Sequence, residues 1–319
     1  MPQRPVILLA LALCLTTTLI AAEPSPQATL QKAVGFLEAD MAKWRSEHGC
    51  AACHHGPLAV WSLHAAKQAG ATIDDAKYDE LLTWLLTDPK ARMVPADDAK
   101  DKPLPATTPA IFTGIALQHV PQTDAVKSAR ERITQFLVAT QNADGGWTAP
   151  AGRPPVLLLA DQSHDWARWA MQSDAAPSEQ LTEAVRRSDE RIAQIEPGDD
   201  LAALLVPMLR REIEANLVSA VRDRQQSDGG WKQVADEPTD ALATGMALAT
   251  LRHAGIPNND PAVQRAVAFL QNTQRDDGSW PMTSRPHPEN KSRAGNLVPI
   301  TYAGSAWAVI GLAATLRAE

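Results

Sequence analysis

Cysteine is nearly missing from this chain. Among 319 residues there are three, Cys14, Cys50 and Cys53, too few for a disulfide-stapled scaffold. Aromatic residues other than tryptophan are also sparse, with four Phe and two Tyr beside nine Trp. Basic clusters are absent and the formal charge is −7, which argues against nucleic acid or an anionic membrane surface as partner. Only one long hydrophobic run stands out, Val6 to Ile20 in MPQRPVILLALALCLTTTLIAAEP. It follows Arg4 and ends at the small pair Ala21-Ala22, the pattern of a secretory signal peptide cut near Ala22. The expectation is an exported protein, periplasmic or secreted, with no membrane span after cleavage. Its functional chain is a single domain over 23–319, carrying −8 once Arg4 is gone.

What is abundant is Ala and Leu in a helical rhythm. Apolar residues at 3–4 spacing place outer helices near 26–46, 74–87, 124–141, 177–195, 210–226 and 260–274. Between them lie more uniformly apolar stretches near 56–70, 107–120, 154–173, 200–208, 239–255 and 300–317. The pair at 177–208 is the weakest, because its second member is short and contains Pro207.

Three segments repeat a theme: ITQFLVATQNADGGW ending at Trp147, VSAVRDRQQSDGGW ending at Trp231, and AVAFLQNTQRDDGSW ending at Trp280. Each reads as a helix end carrying Gln, a polar turn with glycine, then Trp. Glycine supplies the positive φ that stops a helix. A Gln amide can satisfy exposed helix-end groups, and the Trp can cover the gap between helices. Recurrence at long spacing points to a repeat architecture.

These Gln…Gly-x-Trp elements resemble the QW repeats of the squalene–hopene cyclase and prenyltransferase superfamily. DALATGMALATL (240–251) and TYAGSAWAVIGLAATL (301–316) resemble the end of a cyclase C-terminal domain. The likeness is specific over about residues 215 to 318. It implies an all-α fold, an (α/α)6 toroid with inner and outer rings of helices. The chain has length for one such barrel, whereas full cyclases have two. Every outer-to-inner turn should then share one rim.

The resemblance stops short of the chemistry. A hopene-forming cyclase starts with Asp-x-Asp-Asp, which this sequence lacks; Asp97-Asp98, Asp199-Asp200 and Asp276-Asp277 are bare pairs, read as turns or helix ends. The zinc site of prenyltransferases needs a cysteine beyond Cys53. Inner stretches offer Trp61, Phe112, Trp166, Trp169, Tyr302 and Trp307, several of which must pack the core. Polar candidates for a terpenoid-modifying activity are Asp161 and Asp165, with His164 between them, and Asp240, which also reads as a helix cap.

One motif carries chemistry of its own. His48 to Pro57 reads HGCAACHHGP. Cys50-x-x-Cys53-His54 is the attachment pattern of covalent c-type haem: two thiols for the vinyl groups and His54 as proximal iron ligand. Met93, in the long segment 88–106, is the first choice for a distal ligand, ahead of Met282 and His287. Two alternatives stay open: a Cys50–Cys53 disulfide, or a metal site from Cys50, Cys53, His54 and His55. His55 itself reads as exposed or helix-capping. The functional expectation is a redox role with a partner protein. The rival is a non-catalytic toroid that holds a hydrophobic small molecule or a protein.

Overall fold

The computed structural model describes residues 25–49, 51, 55–88, 94, 107–148, 160–172, 177–195, 198–210, 215–287 and 290–317. The described residues form twelve helices and one two-residue antiparallel ribbon, β1 (Trp231–Lys232) paired with β2 (Thr239–Asp240).

The outer helices are α1 (Pro26–His48), α3 (Asp75–Thr87), α5 (Asp124–Ala139), α7 (Glu179–Ile192), α9 (Ala215–Asp223) and α11 (Pro261–Thr273). Their starts follow capping chemistry. Ser25, Asp74, Thr123, Ser178 and Asp260 each accept a backbone N–H of the first turn, satisfying donors that a helix end leaves open. Each outer helix buries one stripe, such as Leu30, Ala33, Val34, Leu37 and Met41 on α1.

The inner helices are α2 (His55–Gln68), α4 (Thr107–Ala116), α6 (Ala160–Ala170), α8 (Leu201–Arg210), α10 (Ala241–His253) and α12 (Val298–Leu316). They pack in chain order and α12 closes onto α2, completing the ring that the sequence implies. Helices α2, α4, α10 and α12 are buried nearly all round, hence their uniformly apolar sequences. Helix α12 corrects one expectation: over 19 residues it is long and apolar enough to cross a membrane by composition. Here it is a core helix, pressed so closely on α10 that a Cβ on Gly245 would lie 2.3 Å from the Trp307 carbonyl. Only glycine permits that approach.

The three Gly-x-Trp turns are built alike. Gly145, Gly229 and Gly278 have φ of 84°, 90° and 91°. A Cβ on them would lie 2.3–2.4 Å from the carbonyl oxygens of Arg187, Arg265 and Lys32 on the next outer helix. The amides of Gln141, Gln225 and Gln274 each donate twice, to the turn glycine's carbonyl and to that of Ala184, Ala262 or Thr29. The indole N–H groups of Trp147, Trp231 and Trp280 donate 2.7–2.8 Å to the carbonyls of Leu137, Val221 and Leu270, always ten residues back. The third repeat grips Thr29 and Lys32 of α1, so the last turn stitches the ring to its first helix.

Candidate functional site

The inner helices run in one direction, so their N-termini and the connections feeding them line one rim. Below that rim the barrel is packed with indoles. Trp61 meets Trp169 and Trp307 edge-on at centroid distances of 5.7 and 5.0 Å. Trp166 meets Phe112 at 5.3 Å and Trp307 at 6.3 Å. These edge-to-face contacts fill the centre, and the tryptophans that could have lined a large cavity mostly hold one another.

Above the indoles a central cavity remains, about 30 Å³, opening to the rim. Its apolar wall includes Phe112, Trp166, Met246 and Trp307, and its polar edge is Gln162, Asp200, Gln233 and Arg285. Two carboxylates organise that edge, each at the start of an inner helix. Asp200 accepts the Ala202 N–H at 3.0 Å through Oδ1. Its Oδ2 accepts Gln162 Nε2 at 2.6 Å and Arg285 Nη1 at 2.7 Å. Asp240 caps α10, with Oδ1 accepting the Ala243 N–H at 2.8 Å and Oδ2 accepting Gln233 Nε2 at 2.6 Å. Burial pushes the Asp240 carboxyl up to about 6, against the pull of the Ala243 N–H, the Gln233 amide and the Arg285 charge.

Arg285 arrives from the segment between α11 and α12, which crosses the rim. Met282 of that segment sits against Gly304 of α12, close enough that any side chain at Gly304 would meet its sulfur. Arg293 forms a paired contact with Glu237, at 2.6 and 3.0 Å. The crossing therefore has fixed points on α12, on the α9–α10 connection and on the start of α8.

The sequence candidates separate. Asp240 is both a helix cap and a neighbour of the cavity edge. Asp165 lies elsewhere, accepting Arg210 Nη2 at 2.9 Å; Arg210, its side chain buried, also reaches Asp189, which accepts from Arg168. That network ties α6, α7 and α8 together. His164 accepts the Trp147 backbone N–H at Nδ1, 3.2 Å away. The same slot is filled by Thr244 Oγ1 for Trp231 and Ser305 Oγ for Trp280, so His164 serves as a repeat-structure acceptor. Of the bare pairs, Asp277 accepts the Ser279 N–H within its turn, whereas Asp200 belongs to the site. Gln162, Asp200, Gln233 and Arg285 carried no motif; only their placement at starts of inner helices or in rim connections signals them.

Cys50, Cys53, His54 and Met93 lie outside the described residues, as does the Asp161 side chain. Gly49 ends α1 in the left-handed conformation, donating to the Arg45 carbonyl. Gly56 donates to the carbonyl of buried Ala51 at 2.8 Å. His55 corrects an expectation: it is fully buried. Its ring stacks between Trp44 and Tyr302, at 4.2 Å from each, and Nε2 lies 3.3 Å from Asp40 Oδ2. Burial lowers its pKa despite Asp40, so a neutral ring serves as packing. His48 stacks on the same indole at 3.8 Å.

Comparison with known proteins agrees with this architecture. Residues 239–319 match the squalene-hopene cyclase C-terminal domain and residues 201–273 match the squalene-hopene cyclase N-terminal domain. A glycosidase solved in complex with glucose is similar with a TM-score of 0.58 at 13% identity, over 92% of this chain and 98% of that one. A glycosyl hydrolase family 88 protein from Bacteroides vulgatus is similar with a TM-score of 0.57 at 10% identity, over 91% of this chain and 99% of that one. At such identities the likeness is one of fold. The chain is an all-α toroid whose residues 201–319 are similar to squalene-hopene cyclase domains.

Proposed function

We propose that this toroid binds a small molecule at its central rim cavity, with an apolar face toward Trp166, Trp307 and Phe112 and polar groups toward Gln233 and Arg285. The observation that supports this reading is the convergence of four polar side chains from separate elements on one small, indole-floored cavity. A cavity of about 30 Å³ suits the end of a ligand whose remainder lies in the mouth. Titration with cyclohexylmethanol, followed by tryptophan fluorescence and ligand-detected NMR, is the direct test. Saturable binding that is lost in Trp166→Ala is the expected result, and no saturable response rejects the reading.

A second reading concerns the Cys-x-x-Cys-His segment between α1 and α2. Cys50 and Cys53 would hold a haem by thioether bonds, His54 would supply the proximal nitrogen, and Met93 is the candidate distal ligand. Such a haem would supply one-electron redox chemistry in an exported protein with a redox partner. What supports it is the motif itself, which holds both cysteines of the chain after Cys14, together with the engagement of His55 elsewhere. Intact-mass measurement of protein made alongside haem-attachment machinery decides it. An adduct of about the mass of haem with a Soret band supports the reading, and a loss of two hydrogens marks a Cys50–Cys53 disulfide instead.

A further inference from the structure

A second and much larger opening lies on the outer wall, between α1 and α3. It encloses about 460 Å³, against about 30 Å³ for the central cavity, and falls in the range of small-molecule sites, roughly 300–1,000 Å³. Its floor is Met41 of α1, Leu63 of α2, and Tyr78 and Leu81 of α3. All four are core residues, at most 6% exposed.

Local sequence leaves the space and closes its ends. On the α1 wall the cleft is lined by Ala42 and Ser46, four residues apart and so on one helix face. Both side chains are too short to fill the gap to α3. Two contacts join the helices across it. Glu38 Oε1 accepts the Asp74 N–H at 2.7 Å, where α3 begins. Seven residues further along α1, Arg45 Nη1 donates to Glu80 Oε1 at 2.8 Å, with its guanidinium 4.7 Å from the centroid of the Trp84 ring. At 1.5 Å of rise per residue the two crossings stand about 10 Å apart. A strand or helix of another chain cannot run along the cleft without breaking them, whereas a compact molecule fits between them.

Charge gives the cleft no sign. Its lining carries Glu38, Glu80, Arg45 and Lys77, two of each kind. Arg45 is paired with Glu80, Lys77 with Asp74 at 2.8 Å, and Glu38 is engaged by the Asp74 N–H. An ion pressed onto the apolar floor would lose water without gaining a counter-charge there. Apolar contact is the attraction that the floor offers.

We infer that the α1–α3 cleft is a binding site for a neutral, compact, apolar molecule of the size of two fused rings, resting on Met41, Leu63 and Leu81 between the two crossings.

The test uses the full chain with carbon-13 in its methionine methyl groups. Met41 then reports on the cleft and Met246 on the central cavity, each assigned through its Met→Leu variant. On titration with 2-naphthol at neutral pH, the Met41 methyl resonance is expected to shift saturably. The charged analogue 2-naphthoate should bind about tenfold or more weakly. Ala42→Leu should fill the cleft and weaken 2-naphthol about tenfold or more, with the melting temperature held because position 42 is exposed. Ser46→Leu, at another exposed position, gives the same block should the first variant fail to fold. A shift at Met246 without one at Met41 overturns the cleft site and leaves the central-cavity reading standing. No shift at Met41, or one that survives the blocking variants, also overturns it. Binding of 2-naphthoate as tight as that of 2-naphthol overturns the neutral assignment.

Discussion

Two kinds of turn occupy one rim of this molecule. The Gly-x-Trp turns before α6, α10 and α12 are copies: the same glycine conformation, the same Gln clamp, the same indole bond ten residues back. The described residues flanking the turn before α2 show a different construction. They are Gly49, which ends α1, buried Ala51, and His55 with its ring between Trp44 and Tyr302. Repetition marks the first kind as scaffold, and it also unmasks His164, whose slot is filled by a threonine and a serine elsewhere. The α1–α2 turn spends its sequence on a Cys-x-x-Cys-His motif, and the packing that Trp supplies at the other turns comes from stacked rings on α1 and α12.

Breaking the two kinds of turn at their glycines should give the largest contrast. Gly229→Ala places a Cβ 2.4 Å from the Arg265 carbonyl at a φ of 90° and should cost about 3–4 kcal/mol in denaturant unfolding. Gly49→Ala, where nothing lies within 4 Å among the described residues, should cost only about 1 kcal/mol for its left-handed backbone. Similar losses at both would erase the distinction.

Acidity should separate the regions with opposite signs. Asp240 has a folded pKa near 6 against an ordinary 3.8, so the folded state holds the extra proton between those values. Its contribution is most favourable below about pH 4, and about 2–3 kcal/mol is lost as pH rises through 6. Asp240→Asn keeps the cap and should remove that slope. His55 is shifted downward, so it contributes above the ordinary histidine range and loses stability as pH falls through it. His55→Phe should flatten that limb of the stability curve.

The shared slot offers a finer test. His164→Thr should be tolerated to within about 1 kcal/mol, because a hydroxyl serves Trp231 in the equivalent place. His164→Leu should cost about 1–3 kcal/mol by leaving the Trp147 N–H buried and unmet. The smallest effect belongs to the stacked turn. The Tyr302 hydroxyl is buried without a hydrogen-bond partner among the described residues, so Tyr302→Phe should shift the melting temperature little, or upward. A large loss there would show that the hydroxyl holds the α1–α2 turn.

Much of the toroid was legible because burial is periodic. Each of the twelve helices overlaps a stretch that apolar spacing marks, with α1, α2, α8 and α12 running one or two residues past it, and the three Gln…Gly-x-Trp segments announce their own turns. Asp240 was readable as a cap from its place at the head of DALATGMALATL. The cavity edge was not readable. Gln162, Asp200, Gln233 and Arg285 sit in unrelated local sequences, and Arg285 meets Asp200 across 85 residues; no periodicity joins them. His55 was misread for a related reason: its burial comes from Trp44 and Tyr302, one on the preceding helix and the other near the end of the chain.

Sequence by itself determined the helices, their alternation of half-apolar and wholly apolar faces, and the glycine turns, because each depends on residues within a turn or two of one another. It also placed two thiols and an imidazole within five residues of one another. Tertiary structure alone decided which polar residues face the cavity and which merely fasten helices. That choice depends on closing the ring, when α12 meets α2, the last turn grips Thr29, and side chains far apart in the chain exchange water for one another.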